Sequence, residues 1–362
     1  MPFQIFWFIL IAVLWTGFFV LEGFDFGVGM LKGFVGKTDD ERRVAINTIG
    51  PLWDGNEVWL IVAGASMFAA FPEWYATMFS AFYLALLVLL VALILRGLSF
   101  EYRGKRDSAA WRRGWDRSSA IGSLVAPLLI GVALGDLLVG LPINSSFEYT
   151  GTFWNLLTPY GLFTGVTLAL LCVVHGATFL SLKATGDVRD RADLLARRFA
   201  PIAAVVVLAW FLWTQITISE GVIPGLIPVS AVGAIVAVVW LLREKRDGWA
   251  FAMTTYAIGA TVLSIFVDLY PRVMVSSTNS AYSLTVKNAA SGAYALKVMT
   301  VVVILFLPFV LLYQGWTYYV FRKRVSVADL EGCGESREAA APPAERPGSA
   351  PRPSAPPSPA GE

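Results

Sequence analysis

Residues 3–31, FQIFWFILIAVLWTGFFVLEGFDFGVGML, form a run of 29 positions in which Glu22 and Asp25 are the only charged side chains. A bilayer core about 30 Å thick is crossed by about 20 helical residues rising roughly 1.5 Å each, so this run is long enough for a transmembrane helix. Eight similar runs follow, at about 49–70, 75–95, 118–139, 159–182, 199–218, 222–242, 249–270 and 298–321. Composition agrees: 56% apolar residues, 15% charged residues and a mean hydropathy of +0.64 exclude a water-soluble enzyme. Two cysteines exclude a disulfide scaffold, and a formal charge of +2 excludes binding of nucleic acid through one basic field. The expected fold class is an all-α integral membrane protein with nine transmembrane helices.

The basic residues orient it. Of 28 Lys and Arg, 25 fall in alternate connections and after the last run, whereas Arg272, Lys287 and Lys297 alone occupy the other side. The positive-inside rule then places the N-terminus outside and the C-terminus in the cytoplasm. On these boundaries no basic residue lies deep in a span. The first run has no positive residue before it and is followed by Lys32, Lys37, Arg42 and Arg43, the reverse of a secretory signal, so it is expected to be retained. Residues 1–325 form the transmembrane domain. Residues 326–362, rich in Pro and Ala, are expected to be a disordered cytoplasmic tail. No internal repeat is evident.

Carboxylates carry most of the functional information, because one at the bilayer centre costs about 2.5–3.5 kcal/mol on insertion scales and normally faces a bundle interior. Glu22 and Asp25 sit three residues apart in the first run, and Asp54 and Glu57 repeat that spacing in the second. Residues at this spacing share a helical face. Both pairs fall in the cytoplasmic half. Two like charges in low dielectric do not both ionise cheaply, so such pairs suit proton transfer. Asp136 and Asp268 lie toward the outer ends of their runs and read as solvated or structural.

His175 is the only histidine, so this chain cannot supply a bis-histidine haem site, and it reads as a packing residue. Cys172, within a run, and Cys333, in the tail, read as unpaired thiols. Gly23 and Gly27 have the small-xxx-small spacing of close helix packing. Trp53 and Trp59 flank the second acidic pair. No metal site is expected.

Longer motifs carry a family resemblance. Gly23–Leu31 (GFDFGVGML), Glu41-Arg42-Arg43, Pro51–Leu60 (PLWDGNEVWL), Arg96-Gly97, Phe100–Arg103 (FEYR), Tyr270–Ser277 (YPRVMVSS) and Leu311-Leu312-Tyr313 together resemble subunit II of cytochrome bd-type quinol oxidases over about residues 1–325. That resemblance implies two four-helix bundles plus a peripheral helix, in a bacterial cell membrane. It implies a heterodimer with subunit I, which carries two b-type haems, one d-type haem and the quinol-oxidising loop. Small single-span accessory subunits are a further implied partner. The complex oxidises quinol and reduces dioxygen to water with cytoplasmic protons. By motif match, Asp54 takes the family's proton-path aspartate, and Trp59 the tryptophan at an oxygen passage. With Asp54, the residues Glu57, Asp25 and Glu22 form the expected proton pathway; this chain is expected to hold no haem and no catalytic residue.

Two other readings share these features. A proton-coupled secondary transporter also places acids inside spans, but usually carries paired repeats and broken helices near the midplane. A structural scaffold would leave the acids without a chemical role.

Overall fold

The computed structural model describes residues 2–218 and 222–329. The helices are α1 (Pro2–Val35), α2 (Asp39–Ile49), α3 (Trp53–Ala70), α4 (Pro72–Ala81), α5 (Tyr83–Tyr102), α6 (Ala109–Val139), α7 (Pro159–Lys183), α8 (Gly186–Thr217), α9 (Val222–Arg243), α10 (Asp247–Leu269) and α11 (Ala293–Val320). Among the described residues, eight are long and apolar enough to cross a membrane: α1, α5–α10 and α11. The eighteen-residue α3 falls short because Asp54, Asn56 and Glu57 crowd its first turns. One compact unit spans Met1–Ser326; a second begins at Val327 and is described only to residue 329. Residues 330–362, with Cys333 and most of the expected tail, lie outside the described residues.

Several features differ from the sequence reading, among them the starts of α6 and α8, at Ala109 and Gly186 rather than 118 and 199. The run expected at 49–70 begins with the last residue of α2, an amphipathic helix that buries Val44, Ala45, Thr48 and Ile49. Its Thr38 N-cap and Glu41 form a reciprocal capping box, and three acids occupy its first turn. The hydrogen bond from Arg191, joined by the Thr38 and Lys37 backbone N–H groups, holds the Glu41 carboxyl down to about 2. This contribution is complete above the ordinary value of 4.5 and is lost as pH falls toward 2. The run expected at 75–95 is divided: α4 ends at Ala81, Phe82 breaks the helix, and α5 continues to Tyr102. That shift carries Arg96 from an expected loop into the interior of α5. Finally, the fold is not wholly α, because Arg272–Met274 (β1) pairs antiparallel with Leu284–Thr285 (β2) in the connection before α11.

In lipid, apolar burial separates helices from an equally apolar solvent, so close approach and polar bonds decide which helices meet. Gly27 on α1 faces Gly176 on α7, where a Cβ at Gly27 would lie 2.7 Å from the Gly176 Cα and would overlap the Cys172 carbonyl oxygen. Gly23, one turn earlier, faces Cys172 and His175. The small-residue spacing in α1 is therefore the seam with α7. Gly131 and Gly165 make a matching seam between α6 and α7.

By contrast, α11 packs lightly on α1 and α3 and is fastened at its ends. Near its start the Trp7 indole N–H donates to Thr300 Oγ1 at 3.0 Å. Beyond its C-terminus Lys183 Nζ donates to the carbonyls of Phe321 and Lys323, and Val325 N donates to Lys183 O at 2.8 Å.

Candidate functional site

Glu22 and Asp25 are fully buried on α1. Arg96, also fully buried, reaches them from α5. Its Nη2 lies 2.6 Å from Glu22 Oε1 and its Nη1 donates to Glu57 Oε2 at 3.0 Å. The planar guanidinium thus bridges carboxylates from α1 and α3, a fork that a lysine cannot reproduce. It rests against the rings of Phe26 at 4.9 Å and Phe100 at 5.6 Å.

Asn56 organises the other half. Its Nδ2 donates to Asp25 Oδ2 at 2.7 Å and to Leu21 O at 3.2 Å. Its Oδ1 accepts from Gln314 Nε2 and from the Tyr318 hydroxyl, each at 2.9 Å. The amide thereby joins α1, α3 and α11, giving the lightly packed α11 a specific polar anchor. One guanidinium serves two carboxylates and Asp25 has an amide rather than a cation as its partner, so the cluster has room for a proton without losing its ion pairs.

The expected pathway residues are brought together only in part. Glu22, Asp25 and Glu57 converge, but Asp54 is exposed on α3 and makes no hydrogen bond or ion pair among the described residues. Trp59 is half-buried against Gly17, where a Cβ would approach its ring to 2.8 Å. Trp53 lies beside Phe100, their centroids 4.8 Å apart.

The expectation that no basic residue lies deep in a span is corrected at Arg96, which is fully buried in the interior of α5. Lys32, in the last turn of α1, is 2% exposed and pairs with Asp116 at 3.5 Å. Charge balance calls for a cation near acids that lie within apolar runs, but Lys32, Arg96, Lys183, Arg243 and Arg322 all directly follow such runs, so the sequence does not single out Arg96. Asn56, Gln314 and Tyr318 carry no charge and give no such signal.

Asp136 and Asp268 are buried rather than solvated. Asp136 accepts a hydrogen bond from Thr158, the residue that caps α7, so it braces a helix start. His175 is fully buried and stacks on Phe251 at 4.7 Å. Its Nδ1 meets Thr254 Oγ1 at 2.8 Å and its Nε2 meets Val20 O at 3.2 Å. With both ring nitrogens engaged, this side chain does not fit a haem ligand. Cys172 is a buried free thiol.

The arrangement of a WDGNE helix start against a GFDFG helix is matched well beyond these motifs. The family profile of cytochrome bd terminal oxidase subunit II matches residues 3–321. The chain belongs to this family. It is 46% identical over 324 residues to the cytochrome bd ubiquinol oxidase subunit 2 of Bacillus subtilis (strain 168), covering 88% of this chain and 96% of that one. With the cytochrome bd-I ubiquinol oxidase subunit 2 of Escherichia coli (strain K12) it shares 37% identity over 366 residues, covering 90% and 96%. The fold matches a chain of the bd oxidase from Geobacillus thermodenitrificans with a TM-score of 0.69 at 17% identity, over 89% of this chain and 100% of that one. Family membership sets the transporter reading aside.

Proposed function

We propose that this chain is the haem-free subunit II of a bacterial respiratory quinol oxidase, and that its buried acid cluster passes cytoplasmic protons toward dioxygen reduction in subunit I. The observation that carries this reading is the buried cluster in which Glu22 and Glu57 share the single guanidinium of Arg96 while Asp25 is held by Asn56. Family membership supplies the reaction. The two b-type haems and the d-type haem of the partner supply the redox chemistry and quinol supplies the electrons; this chain holds and moves protons.

In this reading Asp25 and Glu22 store protons at the α1 face, and Glu57 links them to Asp54. Asp54 stands on the exposed side of α3 beside Val58 and Ile61, where a carboxylate needs a polar partner that lipid does not provide. Subunit I docks there and receives the proton. Trp59 lines the same helix and is assigned to the oxygen passage on the motif alone. Arg96 keeps the carboxylates in register, and Asn56 orients Asp25.

The test is turnover per haem in the purified complex. Asp25→Asn keeps the volume and a hydrogen bond to Asn56 but cannot exchange a proton at neutral pH, so quinol-driven oxygen consumption should fall about ten-fold or more. Asp54→Asn should fall in the same direction. Haem content should stay at the wild-type level in both. Wild-type turnover in fully assembled Asp25→Asn enzyme would leave these acids a structural role only.

The proposed topology has nine spans, counting α3 with the eight apolar helices, the N-terminus outside and the C-terminus in the cytoplasm. A reporter fused after Arg324 is expected to be cytoplasmic, and one inserted near Asn144 external. Finding both on one side would refute this arrangement.

A further inference from the structure

The seam between α1 and α6 carries a second line of polar groups that runs toward the acid cluster on α1. On α1, Glu22, Asp25, Gly29 and Lys32 follow one another at spacings of three or four residues and so share a face. On α6, Asp116, Ser119 and Ser123 do the same. The two faces meet in antiparallel order. Lys32 pairs with Asp116 at 3.5 Å, and a Cβ at Gly29 would stand 2.8 Å from the Ser123 Cβ and overlap its hydroxyl. Gly122, the neighbour of Ser123, lies against Arg96, with 3.0 Å from its would-be Cβ to the Arg96 Cβ.

Ser119 and Ser123 are both fully buried, and neither hydroxyl has a hydrogen-bond partner among the described residues. Buried hydroxyls are as a rule hydrogen-bonded, and a serine hydroxyl both donates and accepts. Gly29 is the residue that gives the Ser123 hydroxyl its place. At the basic end of the seam, Asp116 is 12% exposed and is held by Lys32, by Arg103 at 2.8 Å and by Arg42 at 3.8 Å. Lys32 to Asp25 is a distance of about 10 Å along the helix axis.

We propose that this seam is the cytoplasmic proton inlet of the chain: Asp116 and Lys32 at the mouth, the Ser119 and Ser123 hydroxyls with intervening water in the middle, and Glu22 and Asp25 at the end. The inlet rests on the relay reading above and adds where its protons come from. The Lys32 ammonium gives a proton to the hydroxyl line and regains one from cytoplasmic water beside Asp116. Each hydroxyl oxygen accepts one proton and releases its own, so one proton moves inward and no group is consumed. The charged groups around this line are Lys32 on α1, Asp39 and Arg42 on α2, Glu57 on α3, Arg96 and Arg103 at α5, and Arg112 and Asp116 on α6.

The experiment compares three variants of the intact complex. Ser119→Ala/Ser123→Ala removes both hydroxyls without adding bulk. Lys32→Arg keeps the charge beside Asp116 but does not release a proton in the working range. Asp25→Asn reports on the relay itself. Expected for the first two is a fall of about five-fold or more in turnover per haem, with haem content unchanged and the pH profile of turnover displaced toward acid, as for a supply step aided by higher proton concentration. If the double variant loses haem, Ser119→Ala and Ser123→Ala are read singly by the same measures. Wild-type turnover and pH profile in the serine and Lys32 variants, with Asp25→Asn slow, would overturn the inlet and leave the relay supplied by another route. Wild-type turnover in Asp25→Asn would overturn the relay, and the inlet with it.

Discussion

Arg96→Leu is expected to abolish the assembled, haem-containing complex. Arg96 is fully buried, sits between Glu22 and Glu57, and is covered by the rings of Phe26 and Phe100. Removing one partner of a buried ion pair leaves its counter-charge without compensation, at a cost of about 3–5 kcal/mol. That is comparable with the whole net stability of many domains, about 5–15 kcal/mol. The loss falls on the contacts that bring α1, α3 and α5 together, so the damage is to the packing of three helices. Arg96→Lys keeps the charge but reaches one carboxylate at a time, and should give an intermediate yield with a lower Tm. The double variant Arg96→Leu/Glu22→Gln should recover part of the yield, because a neutral amide is far cheaper to bury than an unpaired carboxylate. Haem-to-protein ratio and Tm of the purified complex measure all three. A wild-type yield and Tm in Arg96→Leu would show that the guanidinium does not hold this site together.

The difference between what the sequence discloses and what it conceals is clearest at Arg96 and Asp54. Runs of apolar residues set the positions of α7, α9 and α10 to within two residues at either end, since nothing but length and hydropathy is needed to place them. The third run fails for a local reason. Phe82 interrupts a stretch that is apolar throughout, and hydropathy is blind to a break between equally apolar segments. Moving that helix by seven residues is what turns Arg96 from a loop cation into the centre of the site. The acids were legible because charge at depth is costly, and the helical spacing of Glu22 and Asp25 did place them together. The same spacing did not give Asp54 and Glu57 the same surroundings: Glu57 meets Arg96, whereas Asp54 is exposed. Spacing fixes a shared half of a helix, whereas the neighbour that each residue meets depends on α5, and α5 was misplaced. Asn56, one residue from Glu57, is buried and joins three helices, yet a neutral amide in a polar helix start has no cost large enough to read from sequence.

Gly27→Ala is expected to lower the stability of the complex by about 1–3 kcal/mol or more, the usual range for bulk forced into a packed interface. The new methyl would overlap the Cys172 carbonyl oxygen and come within 2.7 Å of the Gly176 Cα and N. These are backbone atoms of α7, so no rotamer change relieves the overlap and the two helices must move apart. Gly176→Ala should do similar harm, since its Cβ would meet the backbone of Gly27 and Val28. Both changes act within one turn of Asp25, and displacement of α1 there would pull Asp25 from Asn56 and Glu22 from Arg96. Gly33→Ala supplies the control on the same helix. Nothing lies within 4 Å of its would-be Cβ, and the residue is exposed. Its expected effect is neutral to a gain of up to about 1 kcal/mol from helix propensity. Thermal unfolding of the three complexes, followed by haem release, separates the two cases. Equal Tm values for Gly27→Ala and Gly33→Ala would mean that the α1–α7 seam tolerates a methyl group, and that close backbone approach is not what sets the acid cluster in place.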